Sequence, residues 1–429
     1  ERILKFLIKK KFNIVGVVTR KKSTNHDFKD LSTICKKNGI PCKYKTNINN
    51  KEIKEWLKKI KVDLIICLGW NEIISKDIFN LPKISSIGYH PAKLPQNRGK
   101  HPVIWSLVLG LKTTYSTFFH LTDKVDSGNI ISQEKVLIKN HSIGVNFIDI
   151  YFRTGLYPWP QENNLVLGSE GAGIIEAVGS DVVNLRVGDR VAYAQANNAY
   201  ATHRILEANL VVRIPDAISF DQAAAAMLKG LTVRYLIKDS FEVKDHHTVL
   251  FHAAAGGVGL IAGQWMQVLG AKTIGTAGSD EKCKLAKDHG YGETINYSNE
   301  DFLKRTQEIS NQSGVDVVYD SVGKDTMFNS FKALKRHGTV VSFGQSSGAY
   351  TNLRMTDLAF GSYHLTRPIL FHFYANRNWL ENASAELFEL ISNKKVKLDQ
   401  VTKYPLENVA QAHTDIENRK TTGSVILEI

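Results

Sequence analysis

TVLFHAAAGGVGLIAGQW, residues 248–265, runs an apolar strand into a glycine turn and on into a helix that stops at Gly270. The spacing Ala254-x-Gly256-x-x-Gly259 lets the backbone turn tightly at Ala254. It leaves Gly256 and Gly257 without a Cβ where a pyrophosphate approaches, and it lets the helix pack close on the strand at Gly259. Free N–H groups at the helix N-terminus then face the phosphates. The helix is expected to be amphipathic, and the next strand, KTIGTA (residues 272–277), completes a βαβ unit. The pattern reads as a dinucleotide cradle.

Residues 233–366 keep the strand and helix alternation of a doubly wound parallel sheet. From 146 to about 230 the pattern is one of short strands with turns, among them LGSEGAGIIEAVGSDV (167–182), VGDRVAYA (187–194) and NLVVRIP (209–215). A small β-rich lobe is predicted there, completed by residues 367–429 with their final strand GSVILEI. Ahead of it, ILKFLIKK (3–10), FKDLSTICKKNG (28–39) and NKEIKEWLKKI (50–60) are expected as helices, with NIVGVVTR (13–20) and the fully apolar VDLIICLG (62–69) as strands of another parallel sheet. This front part, residues 1–138, is expected to be clipped at both ends. The run IISQEKVLIKNHSIGVN (130–146) joins the two parts with no linker, and its strand fits either side. A natural fusion and a chimeric or fragmentary gene are both compatible with such a join.

Hydrophobic residues make up 43% of the 429 and charged residues 23%, a profile that predicts a soluble globular protein. No stretch is apolar enough to span a bilayer and no secretory pattern opens the chain, so a cytoplasmic location and no membrane partner are expected. Cys35, Cys42, Cys67 and Cys283 form no CxxC pair, which argues against a disulfide framework and a zinc site. Residues 1–140 hold 27 Lys/Arg against 11 Asp/Glu, whereas the remainder holds 28 against 31. The basic half suggests RNA or an anionic substrate, but its lysines are dispersed without interleaved aromatics, and nucleic acid is not the expected partner.

A dinucleotide fold that binds the ribose 2′-OH ends its second strand in an acid. Here that strand ends Thr276-Ala277-Gly278-Ser279, with no carboxylate. Ser279 reads as an N-cap, which places Asp280 in the next helix's first turn and Lys282 within reach of a 2′-phosphate. NADPH is therefore favoured over NADH.

NFIDIYFRTGLYP (146–158), LGSEGAG, VGDRVAYA, AAAAMLKGLTVRYL (223–236), HAAAGGVGLIAGQW, VVYDSVGKDT (317–326), VSFGQSSG (341–348) and TTGSVIL (421–427) together resemble the zinc-independent quinone oxidoreductases. These belong to the medium-chain dehydrogenases, which include ζ-crystallin. The resemblance spans about residues 139–429. It implies a GroES-like lobe (139–232 with 367–429), a Rossmann domain (233–366), a homodimer through that domain, and NADPH-dependent reduction of a quinone or activated carbonyl without metal. By it, Asn146, Asp149 and Tyr151 line the nicotinamide side, with Lys229 and Thr232 nearby. Gly256, Gly257, Val258 and Gly259 hold the pyrophosphate; Gly278, Ser279 and Lys282 take the 2′-phosphate end; Tyr297 takes the adenine; and Phe343 and Arg419 complete the site. Where zinc alcohol dehydrogenases carry a cysteine ligand, this chain reads Asn146-Phe147-Ile148-Asp149. A conjugated dicarbonyl is already electrophilic and needs chiefly orientation. Tyr157 is the candidate for steering or protonating its oxygen, with Asn146 beside it. The plain alternatives are a tyrosine packed on prolines and turn-forming Asn146 and Asp149.

HPAKLPQNRG (90–99) followed by VDSGNI (125–130) resembles the formyltetrahydrofolate-dependent formyltransferases over about residues 1–138. The resemblance places His90 and Asp126 on catalytic positions and implies formyltetrahydrofolate and an amine acceptor such as a nucleotide sugar. A histidine oriented by a carboxylate suits deprotonation of an attacking amine. Gly88 stands where that family has an asparagine, which removes an oxyanion donor. Three functions stay open from sequence: the reductase, the formyltransferase, and a non-enzymatic nucleotide- or RNA-binding protein.

Overall fold

The structure is a computed structural model that describes residues 1–20, 30–44, 47–69, 72–90, 117–122, 124, 134–158, 166–179 and 181–429. It divides into two compact units, residues 1–133 and 134–429.

In the first unit, β1 (Val17–Thr19) pairs in parallel with β2 (Cys42–Tyr44), and β3 (Leu64–Cys67) with β4 (Ser85–His90). β5 (Thr117–His120) then pairs antiparallel with β4, so the sheet is mixed and not all-parallel as expected. The helix Lys51–Lys59 starts where the Asn50 side chain accepts from Glu52 N–H. Its Ile53 and Leu57, four apart and so on one face, are buried against Ile48, Val62, Ile74 and Ile78. The apolar β3 departs from expectation, since Leu64 and Ile66 are 38% and 39% exposed on one face.

In the second unit, β6 (Lys135–Val145) is one continuous strand. It pairs antiparallel with β7 (Glu170–Val178), β9 (His203–Glu207) and β18 (Ser424–Glu428). The strand that the sequence left shared therefore lies wholly in this unit. β8 (Arg190–Ala194), β10 (Val212–Arg213) and β17 (Val401–Pro405) complete, among the described residues, a seven-stranded sheet in the order β10-β8-β7-β6-β18-β17 with β9 on β6. Because β18 is the last strand of the chain, the C-terminus returns to close the lobe. The second sheet is parallel throughout: β13 (Glu293–Asn296), β12 (Lys272–Ala277), β11 (Thr248–Phe251), β14 (Val315–Asp320), β15 (Leu334–Ser342) and β16 (His364–Thr366), in that order.

The helix Phe220–Arg234 links the two sheets. Ser219 and Gln222 cap it reciprocally, and its run Ala223–Ala226 is small enough to lie against β6, β7 and β8. The helix Gly257–Val268, expected to be amphipathic, is buried from Gly259 to Met266. It is covered by β12 on one side and by the Phe220–Arg234 helix and β18 on others, so from Gly259 to Met266 no face is left for water, while Val268 at its end is 43% exposed. No described helix is long and apolar enough to cross a membrane.

Candidate active site

A cleft of about 740 Å³ in the second unit starts at the glycine turn. Ala253 enters it at φ +56°, Ala254 N–H donates to Thr276 O at 2.9 Å, and Gly256 becomes the N-cap of the following helix. A Cβ on Gly259 would be driven into the carbonyls of Ala253 and Ala254, whereas one on Gly256 would meet only Ala253 O, at 3.2 Å. Gly259 is thus set by packing and Gly256 by the open space before it. Gly256, Gly257, Val258 and Gly259 all line the cleft. Gly423 N–H closes the turn from the C-terminal segment by donating to Ala255 O at 3.0 Å.

Beyond the turn, Gly278, Lys282, Tyr297 and Arg419 line one end. A Cβ on Gly278 would stand 2.8 Å from Tyr297 Oη, so a larger residue there would push the half-exposed ring aside. Lys282 Nζ donates to Arg419 O at 2.7 Å, and burial together with the neighbouring Arg419 cation lowers its pKa. Two cations side by side leave this end of the cleft positively charged. Asp280, the rival acid, accepts from Asn296 Nδ2 at 2.7 Å. The Ser279 side chain caps Lys282 N–H and does not line the cleft.

Asn146, Lys229 and Thr232 line the inner wall. Thr232 Oγ1 donates to Leu228 O at 2.8 Å, which leaves its oxygen lone pairs as acceptors. Asn146 Nδ2 and Lys229 Nζ both donate to Glu170, each at 2.9 Å. Sequence reading missed Glu170; the signal was an acid set among glycines in an otherwise buried strand, GSEGAG.

The opposite end is aromatic. Tyr151, Tyr157, Phe152 and Phe343 line it, and Tyr157 packs on Tyr151 and Phe152 with ring centroids 5.2 and 5.8 Å apart. Tyr151 Oη accepts from Gln345 N–H at 3.0 Å, while burial raises its pKa. Arg367 Nη2 donates to Tyr157 Oη at 3.5 Å, and Nη1 to Ser342 Oγ at 2.8 Å. Arginine only donates, so the Tyr157 O–H is left for another acceptor. No sequence signal marked Arg367.

Asp149 does not line the cleft. The segment is no turn: Asp149 lies at the start of the helix Phe147–Arg153, wholly buried, and accepts from Asn146 N–H (2.9 Å), Ser169 Oγ (2.7 Å) and Tyr200 Oη (2.9 Å). Burial outweighs these bonds and lifts its pKa to about 6. Tyr200 Oη also meets His413 Nε2 at 2.9 Å, and burial, with the Arg153 charge next, lowers His413 to about 4.

In the first unit, His90 ends β4, buried. Asp126 lies outside the described residues. A Cβ on Gly88 would stand 2.7 Å from Phe119 Cζ and 2.8 Å from Leu121 Cδ2, so an asparagine there must displace those side chains. Among the described residues, no group of three or more His, Cys, Asp or Glu could hold a metal ion.

Comparison with known proteins assigns residues 257–388 to a family model described as zinc-binding dehydrogenase and residues 132–216 to one described as alcohol dehydrogenase GroES-like domain. Residues 1–144 match the formyl transferase model. The chain is 47% identical over 300 residues to quinone oxidoreductase 1 of Escherichia coli (strain K12), covering 69% of this chain and 91% of the relative. It is 38% identical over 301 residues to 2-haloacrylate reductase of a Burkholderia species, covering 68% and 90%. The crystal structure of Escherichia coli quinone oxidoreductase complexed with NADPH superposes with a TM-score of 0.68 at 45% identity, covering 73% of this chain and 96% of that one.

Proposed function

We propose a division of labour in this cleft from one premise: the chain belongs to the quinone oxidoreductase family. It is an NADPH-dependent reductase acting on quinones. The observation that carries the reading is the joining, in one cleft, of a glycine turn and cation pair with an aromatic pocket. NADPH fits the first part, because the cradle at Gly256 and Gly257 stays open and Lys282 and Arg419 offer charge to a 2′-phosphate. Tyr297 flanks its adenine end, and Asn146, Tyr151, Lys229, Thr232 and Phe343 its nicotinamide end. Bound there, NADPH supplies the hydride.

A quinone that has accepted a hydride carries an oxyanion and needs one proton to become a hydroquinone. Tyr157, whose oxygen already accepts from Arg367, donates its O–H toward that oxygen, and Tyr151 and Phe152 hold the flat ring in register. The reaction proceeds without metal, which the absence of cysteine among the cleft-lining residues supports. Asp149 acts behind the wall through Asn146 and makes no contact with the cofactor. The protein forms a homodimer along the edge strand β16, beside which Met355 and Phe360 are 80% and 82% exposed. Its four free thiols suit the reducing cytoplasm. The second reading, formyl transfer from formyltetrahydrofolate, rests on the formyl transferase match over residues 1–144, and Gly88 in place of an asparagine oxyanion donor weighs against it.

The test is steady-state oxidation of NADPH by the purified chain with benzoquinone or naphthoquinone. Turnover is expected with NADPH and far less with NADH; binding of NADPH without reduction of any quinone sinks the substrate assignment.

A further inference from the structure

In the first unit the helix Ser32–Lys37 packs back on β2, with Gly39 at φ +66° in the turn between them and Ile40 N–H donating to Cys35 O at 2.9 Å. This return brings together two cysteines that no sequence motif joins. Cys35 sits on the helix, wholly buried, and Cys42 opens the strand, half-buried. Their thiols share a hydrogen bond. A thiol is a weak donor and a weak acceptor, so this contact adds little to stability. What it supplies is two sulfurs standing side by side.

We propose that Cys35 and Cys42 form a thiol–disulfide exchange site whose co-reactant is a low-molecular-weight disulfide such as oxidised glutathione. Cys42, the more accessible of the two, attacks one sulfur of that disulfide as a thiolate and expels the first glutathione thiolate. Cys35 then attacks Cys42 Sγ as a thiolate, forms the Sγ–Sγ bond and expels the second. The protein gives up two electrons and two thiol protons, and the co-reactant takes up both as two molecules of glutathione. Burial raises the pKa of both thiols, that of Cys42 to about 11, so the reduced pair holds little thiolate at neutral pH and exchange there is slow. Closing the bridge asks little of the folded chain, whose sulfurs are already neighbours, whereas the unfolded chain must first close the loop between them.

The test equilibrates the full chain with mixtures of reduced and oxidised glutathione in mildly alkaline buffer, quenches with acid and maps the products by mass spectrometry. The expected product carries one bridge, Cys35 to Cys42, an intact mass lower by about 2 Da, and no bridge at Cys67 or Cys283. Its equilibrium constant against glutathione is expected to be about tenfold greater, or more, in the native chain than in urea. Cys35→Ala should leave Cys42 with a glutathione adduct that goes no further, and Cys42→Ala should leave Cys35 a thiol. Should either variant fail to fold, the wild-type ratio decides. A wild-type chain that stops at the adduct on Cys42, that bridges to Cys67 or Cys283 instead, or that gives equal constants in the native state and in urea overturns the proposal. None of these readouts depends on quinone reduction.

Discussion

At Gly259 and at Gly88 this chain sets glycine within a recognisable motif, and the surroundings differ. Behind Gly259 the carbonyls of Ala253 and Ala254 press into the place of a Cβ, while the space before Gly256 opens into a cleft with charge and aromatic rings at its two ends. Beside Gly88 the space belongs to Phe119 and Leu121. In the second unit Gly259 packs the turn and Gly256 opens onto a cleft; in the first Gly88 makes only a core contact. A motif therefore carries chemistry only where the volume around it is free for a ligand.

The strongest way to break this contrast is Gly259→Ala. The added methyl group must push the turn away from the Gly257–Val268 helix, and NADPH affinity is expected to fall at least a hundredfold, about 3 kcal/mol. Gly256→Ala, with only a 3.2 Å contact to absorb, is expected to keep the melting temperature while weakening NADPH about tenfold. Calorimetry and fluorescence titration on both variants separate the packing glycine from the ligand-facing one. Equal effects of the two would erase the distinction.

Next in size is a pair of opposed pH dependences in the second unit. Asp149 is raised to about 6, so the native state holds a proton that the unfolded chain releases near pH 4. Its contribution is best at low pH and costs about 3 kcal/mol once the pH has risen through 6. His413, lowered to about 4, has the reverse sign: its stabilisation is present above about pH 6.5 and is lost as the pH falls toward 4. Tyr200 bonds to both, and wild-type stability should be nearly flat between pH 4 and 6.5. Asp149→Asn should unmask a rise in melting temperature with pH across that window, and His413→Gln a fall. A flat profile in either variant contradicts the assignment.

The glycine turn, the capping Ser279 and the parallel order around β11 were legible because backbone geometry dictates residue type locally. The strand at 135–145 was legible as a strand but not as to owner, since its partners β7, β9 and β18 lie far along the chain. Asp149 drew attention as a turn residue or cofactor contact; its place at a buried helix start depends on Ser169 and Tyr200, 20 and 51 residues away. Glu170 and Arg367 were silent for the same reason: their meaning lies in partners that only the fold assembles. The burial of Gly259–Met266 on all sides likewise comes from tertiary cover, which composition alone does not reveal.

Smaller effects probe the two ends of the cleft. Tyr157→Phe is expected to lower kcat about tenfold, roughly 1.4 kcal/mol, with NADPH affinity unchanged, because only the proton donor is lost. Lys282→Ala is expected to reduce the preference for NADPH over NADH about fivefold, roughly 1 kcal/mol, as Arg419 retains part of the charge. Both follow from steady-state kinetics with each coenzyme. A rise in quinone KM alone for Tyr157→Phe would move that residue from proton donor to ring support.

The smallest expected effect belongs to the first unit. His90→Ala should leave formyl release from formyltetrahydrofolate at the background rate, as in the wild type, because a base without an oxyanion donor lacks the group that stabilises the tetrahedral state. Gly88→Asn, which supplies that side chain, should not create activity; it must displace Phe119 and is expected to destabilise the unit by about 1–3 kcal/mol. Pairing Gly88→Asn with Phe119→Ala then separates volume from chemistry. If the pair recovers stability without formyl transfer, the packing of Phe119 explains the glycine. Formyl transfer by the wild-type chain that disappears in His90→Ala would restore the first unit to enzymatic status and end the contrast between the two glycines.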